Sequence, residues 1–191
     1  VNVDDLIDQA QTKVFAAVQN NVKKDVQEIG AVINDAIEDI MKLQKSSGLS
    51  GVPSGFASLD KITQGWQASD LIILAARPSV GKTAFVLNLA RNAAVDFNMP
   101  VAIFSLEMPA EQLIMRMISS LGQIDNKKLS TGKLENDDWK RFNEAISILA
   151  DTNVFFHDAG GVTPSEIKAK CRRLATQGEG LGLVIIDYLQ L

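Results

Sequence analysis

The chain is short of the residues that staple small folds or build metal centres. Cys171 is its only cysteine and His157 its only histidine. One thiol excludes an internal disulfide and fits a reducing compartment, so a cytoplasmic setting is expected. One imidazole excludes a His-rich metal site. Positive charge is not in excess: 19 Lys and Arg stand against 23 Asp and Glu, a net charge of −4. A protein that grips nucleic acid mainly by neutralising phosphates is usually basic, so any contact with DNA or RNA is local or lies elsewhere. Long apolar runs are missing too. Leu71 to Ala76 and Leu183 to Ile186 fall far below the ~20 residues of a membrane span. Residue 1 is Val rather than Met, no charged-then-apolar signal opens the chain, and Leu191 follows directly on a strongly apolar segment. These ends suggest a piece of a longer protein.

What is present suffices for a core. The 191 residues are 46% hydrophobic and 22% charged, with 13 Gly and 5 Pro, which is globular usage. This length suggests one domain with an appendage, burying ~70% of its unfolded surface without disulfide or structural metal.

Two amphipathic helices are expected first. Val3, Leu6, Ala10, Val14 and Ala17 recur at helical spacing behind Asp4, Asp5 and Asp8, whose charge suits a helix N-terminus. After a polar break at Gln19 to Asp25, a second run places Val26, Ile29, Ile33, Ile37 and Ile40 on one face, stopped by Ser46, Ser47 and Gly48. Its stripe has more apolar surface than a lone partner helix covers, so it is expected to dock on a larger body, its own or a neighbour's. Residues 46 to 58 are rich in Gly, Ser and Pro and read as a linker.

From about residue 59 strands and helices alternate. Leu71 to Ala75 reads as a buried strand, Thr83 to Val95 as a helix, Val101 to Ser105 as a strand and Pro109 to Leu121 as a helix. Residues 126 to 150 read as a helical stretch, and Val154 to Phe156 as a short strand. Thr163-Pro-Ser-Glu166 is a capping box opening a helix to about Thr176, and Leu183 to Ile186 is a fourth strand. Continuous apolar strands separated by helices imply an α/β fold, a parallel sheet with helices on both faces.

The chemistry concentrates in Ala76-Arg77-Pro78-Ser79-Val80-Gly81-Lys82-Thr83, which runs into Ala84 and the following helix. It matches the phosphate-binding loop G-x-x-x-x-G-K-[ST] with Ala in place of the first Gly. Successive backbone N–H groups turning into a helix N-terminus make a concave anion site. Gly81 permits close approach, Lys82 sets a point charge on the outer phosphates, and the Thr83 hydroxyl suits Mg²⁺. A polyphosphate with Mg²⁺ is therefore the expected ligand.

Three residues join it. Asp187 ends the apolar run Leu183-Val-Ile-Ile and would stand at the carboxyl edge of the sheet, where it can support the metal. Glu107, just past the strand Val101 to Ser105, is either a carboxylate that polarises the attacking water or a helix N-terminal Glu placed by the dipole. Gln190 is either a γ-phosphate sensor or a polar turn residue. Other residues read as structural. His157, at a strand end, is structural or a turn hydrogen-bonder, Trp66 and Trp139 are packing residues, and Met108, Met115 and Met117 fill gaps. Lys168, Lys170, Arg172 and Arg173 form a solvated basic face, and Cys171 has no partner for catalysis.

On these residues the chain resembles the hexameric replicative DNA helicases of the DnaB family, which have a RecA-like motor. The segments that carry the likeness are Gly51-Val-Pro-Ser-Gly55-Phe56, Leu59-Asp60, Asp70 to Phe85, Phe104-Ser-Leu-Glu107-Met108 and Asp187-Tyr-Leu-Gln190-Leu191. It runs from about residue 3 to 191. In that family Ala is common at the first loop position, so Ala76 is no defect. The resemblance implies a RecA-like P-loop NTPase fold and ATP hydrolysis coupled to travel on single-stranded DNA and duplex unwinding. It makes Glu107 the water activator, Asp187 the metal support and Gln190 the sensor. It divides the chain into residues 1–20, the last helix of an N-terminal domain; 21–50, linker helix and linker; and 51–191, the first part of the motor. Val26 to Leu43 would then be a linker helix docking on the adjacent subunit of a ring, likened to six copies, with primase and a helicase loader as partners. The arginine finger and DNA-contacting loops of the family lie downstream of the sensor motif, so weak or no ATP turnover is expected of residues 1–191 alone. Rival readings are another RecA-like ATPase, of recombinase or clock type, and a non-catalytic module in which nucleotide glues subunits; a nucleotide kinase fits less well, since no acceptor lid follows the loop.

Overall fold

The computed structural model describes residues 29–45, 49–158, 160–177 and 180–188. The expected helix over Val3 to Ala17 and the residue Gln190 lie outside them. The chain divides into two compact units, Val1–Gly48 and Leu49–Leu191. In the first, helix α1 runs Ile29–Lys45 and exposes Ile29, Ile33, Ile37 and Ile40, the stripe its spacing predicts.

The second unit is built on a three-stranded parallel sheet of order β2-β1-β3. The strands are β1, Val101–Ser105; β2, Val154–His157; and β3, Leu183–Asp187. Around them run α2, Ala57–Thr63; α3, Lys82–Arg91, continued by one π-helical turn, Asn92–Asp96; α4, Ala110–Gly122; α5, Asn126–Thr131; α6, Asn136–Ala150; and α7, Pro164–Gln177. Every residue of β1 is buried, as a central parallel strand with apolar side chains on both faces requires. Its Val101 and Ile103 meet Ile185 of β3, Leu87 and Ala90 of α3, Ala93 and Ala94 of the π turn, and Leu113 and Met117 of α4 in one core cluster. Each large side chain of this cluster contributes about 1.5–3 kcal/mol by leaving water. On the opposite face Ala102 and Phe104 are buried while Val184 and Ile186 stay exposed. No helix among the described residues is long and apolar enough to cross a membrane.

Two expectations are corrected by the structure. Leu71 to Ala75 is not a strand: the segment is unpaired and Leu71 is 87% exposed. Its run of apolar residues signals burial on both sides, but the segment faces β3 only across an open cleft lined by Leu71–Leu74 and Leu183–Asp187, among others. Residues 49–58 are not a loose linker. Val52 bridges Trp66, and Asp60 of α2 takes the amides of Ser54 and Gly55 at 2.8 and 3.2 Å. Ser54 is fully buried, and its carbonyl accepts from Asn92 Nδ2 at 2.9 Å. The stretch is thereby pinned to the end of α3. The helical stretch expected over residues 126–150 is present as two helices, α5 and α6. Gly132, at φ +68°, closes α5, and Glu135 and Asp138 cap the start of α6 reciprocally. Trp139 on α6 is half exposed, set edge-on to Phe142 rather than packed in the core.

Candidate functional site

The carboxyl ends of the strands carry the polar residues, because each strand spends its apolar residues inside the sheet and changes character where it leaves. Side chains alternate along β3, so Leu183, Ile185 and Asp187 share the face on which α3 packs. Asp187 is the last residue of that series and is buried.

Residues 76–80 are exposed and lead into α3. Ser79 and Gly81 have positive φ, 64° and 104°, and the amide of Val80 reaches the Arg77 carbonyl at 3.4 Å. Gly81 is the N-cap of α3 and leaves the first turn without a side-chain cap. The conformation at Gly81 is one only glycine holds without strain, and nothing lies within 4 Å of where a Cβ would stand. The first amides of α3 therefore face open space at the positive end of the helix dipole.

Thr83 and Lys82 then turn toward β3. Thr83 Oγ1 donates to Asp187 Oδ2 at 2.8 Å across 104 positions of sequence. Lys82 Nζ lies 3.7 Å from Asp187 Oδ1 and 4.5 Å from the centroid of the Tyr188 ring. A buried carboxylate, a hydroxyl and an ammonium thus share one corner. The ammonium gains from both the carboxylate and the ring face.

Glu107 stands on the next strand end. β1 and β3 are in register with Ser105 opposite Asp187, and the Leu106 amide donates to the Asp187 carbonyl at 2.8 Å. The buried Ser105 hydroxyl closes the following turn, donating to the Met108 carbonyl at 2.7 Å and accepting its amide at 3.2 Å. Glu107 projects from this turn into solvent. Just beyond, Asp158 at the end of β2 accepts the Ala110 amide at 2.9 Å and caps α4. All three strand ends therefore meet at one edge. Sequence reasoning missed Ser105, Asp158 and Tyr188. Tyr188 directly follows the flagged Asp187, and Ser105 sits at the last strand position, where a buried hydroxyl commonly ties a turn.

His157 packs edge-on to Phe104, with centroids 5.7 Å apart and a buried, unpartnered Nε2. Lys168, Arg172 and Arg173 on α7 are exposed, and the Thr163–Glu166 capping box forms as expected. That box holds the Glu166 carboxyl below its ordinary range, because the Thr163 amide and hydroxyl donate to it. Burial pushes the Cys171 thiol up from its ordinary value.

Residues 51–191 match the family model described as the DnaB-like helicase C-terminal domain. The chain is 45% identical over 190 residues to the replicative DNA helicase DnaC of Bacillus subtilis, covering 99% of this chain and 42% of that protein. It is 45% identical to the replicative DNA helicase DnaB of Geobacillus stearothermophilus, again over 99% of this chain and 42% of the relative. It therefore spans less than half the length of the curated relatives it matches. Among solved structures, an ATPase domain superposes with a TM-score of 0.80 at 33% identity, covering 87% of this chain and 58% of that one. A DnaB-like replicative helicase, solved for its structure and its interactions with primase, superposes at 0.75 and 31% identity, over 96% of this chain and 44% of that one. The family match takes in the loop entering α3 and the carboxylates at the strand ends, and the chain belongs to the DnaB-like helicase C-terminal domain family.

Proposed function

We propose that this chain is the nucleotide-binding part of an ATP-driven motor that travels on single-stranded DNA and unwinds duplex. The observation that carries this reading is the 2.8 Å hydrogen bond from Thr83 to Asp187, with Lys82 beside it. It brings a phosphate-binding loop and a strand-end carboxylate to one point, the pairing that phosphoryl-transfer sites use. Residues 76–84 would cradle the phosphates with backbone amides, and Lys82 would release Asp187 and Tyr188 to meet the outer phosphates.

The Thr83 hydroxyl and the Asp187 carboxylate are oxygen donors of the kind a hard cation prefers, so they fit Mg²⁺. When bound, Mg²⁺ supplies charge neutralisation between the phosphates. Glu107, on its Ser105-tied turn, is proposed to take a proton from water, and Gln190 is proposed as the γ-phosphate sensor. In the domain reading, residues 1–20 close an N-terminal domain, 21–50 hold linker helix and linker, and 51–191 begin the motor. The exposed stripe of α1 supports self-association into a ring, likened to a hexamer. Primase, a helicase loader, single-stranded DNA and a cytoplasmic setting complete the proposal.

The test is Glu107→Gln in the full-length protein. A motor keeps ATP binding and loses turnover by about 10²–10⁴-fold, the usual worth of a positioned general base, and unwinding goes with it. A nucleotide-glued assembly module would lose nothing, and that result would overturn the motor reading.

A further inference from the structure

Away from the loop mouth, α3, α4 and α5 enclose a cleft of about 310 Å³. Leu87 and Met117, both buried, line it together with Arg91, Arg116 and Asn126. The two arginines come from different helices, Arg91 from the last turn of α3 and Arg116 from the middle of α4. Arg91 Nε is buried and has no hydrogen-bond partner. Its Nη1 makes one long contact, 3.4 Å, to a half-exposed Asp96. Arg116 forms no ion pair among the described residues.

Arg91 Nε is closed off inside the fold, so it is the partly exposed rest of the Arg91 head, together with Arg116, that an oxyanion in the cleft can meet. We infer that this cleft binds a phosphate-bearing small molecule, with the phosphate held between Arg91 and Arg116. Forked, permanently charged donors suit phosphate, and Arg116 beside the weakly paired Arg91 leaves the cleft with net positive charge. The volume sits at the low end of the ~300–1,000 Å³ typical of small-molecule sites, enough for a phosphate with a small organic body over Leu87 and Met117. The cleft also uses Ala84, one residue after Thr83, so its occupant would bear on the same helix that carries the phosphate loop.

The experiment is calorimetric titration of the chain with pyrophosphate, in wild type, Lys82→Ala, Arg116→Gln and the double variant Lys82→Ala/Arg116→Gln. Pyrophosphate also suits the loop at Lys82, which is why both sites are varied. Binding that survives Lys82→Ala and weakens about tenfold or more when Arg116→Gln is added supports the cleft. Arg116 is exposed, so its loss leaves folding intact; circular dichroism checks this, and Arg116→Lys, which keeps charge but not the fork, should fall between. Binding abolished by Lys82→Ala alone, or indifferent to Arg116→Gln, overturns the cleft site. Adenosine monophosphate titrated into Lys82→Ala separates the sources: tighter binding than pyrophosphate points to a nucleotide, weaker or equal binding to a free phosphate compound. ATP affinity unchanged by Lys82→Ala would instead sink the loop assignment and leave the cleft standing.

Discussion

Thr83 and Asp187 are hydrogen-bonded at 2.8 Å although 104 positions separate them, and this contact ties the start of α3 to the end of β3. Removing the acceptor leaves Thr83 and Lys82 without their shared partner. Asp187→Ala is expected to weaken Mg²⁺-dependent nucleotide binding by about 10–100-fold, the usual cost of losing a group that orients a metal site. Titration with a fluorescent nucleotide, with and without Mg²⁺, checks it; an effect equal in both conditions would place Asp187 outside the metal's reach.

Ser105→Ala should loosen the turn that presents Glu107. The hydroxyl both gives to and takes from Met108 within a buried site. Its loss costs about 1–3 kcal/mol where backbone groups are left unpaired. Urea unfolding measures the stability loss. In the full-length protein, turnover should fall while nucleotide affinity holds, since the Ser105 hydroxyl bonds to Met108 and not to the loop.

Gly55→Ala meets two obstacles at once. Residue 55 sits at φ +76°, and a Cβ there runs into the buried side chain of Asn92, which is already held by Ser54. A destabilisation larger than ~1 kcal/mol follows, beyond the conformational cost alone. Gly132→Ala provides the control, because its φ is +68° but its Cβ would meet nothing within 4 Å.

Asp138 should govern part of the acid sensitivity. The Lys128 ammonium at 2.7 Å, then the Glu135 amide, hold its carboxyl below the ordinary 3.8, and Arg141 adds to this at 2.6 Å. A depressed carboxyl stabilises the fold fully above 3.8, and that contribution is lost as pH falls through the lower folded value. Lys128, raised above its usual 10.5 by Asp138 and then Glu135, gives stability that persists below 10.5 and is lost as pH rises through the higher folded value. Asp138→Asn should lower the Tm at neutral pH and flatten its decline as pH falls through the carboxylate range; an unchanged slope would assign the acid transition to other carboxylates.

The parts readable from sequence are those whose signal is local. β1 and β3 stand out as unbroken apolar runs, and β1 has the bounds expected of it. The Thr163–Glu166 box is written in four adjacent residues. The loop at 76–83 declares itself by Gly81-Lys82-Thr83. What escaped depends on distance or on short elements. The hold of Asp60 on Ser54 and Gly55 comes from a seven-residue helix, too short to show a period. The Glu135–Asp138 box departs from the usual Ser or Thr opening, so the start of α6 inside the helical stretch 126–150 carries no clear mark. Leu71 to Ala75 has the composition of an inner strand, but composition alone does not supply the neighbours that make a strand.

The amide of Leu106 grips the carbonyl of Asp187 at 2.8 Å, backbone to backbone. Glu107 hangs one residue past that grip. A shift of the tip of β3 is thus relayed to the Glu107 turn through main chain alone, with no rotamer in between to absorb it. The two acids ride on a common chassis, and whatever tugs one should displace the other in step.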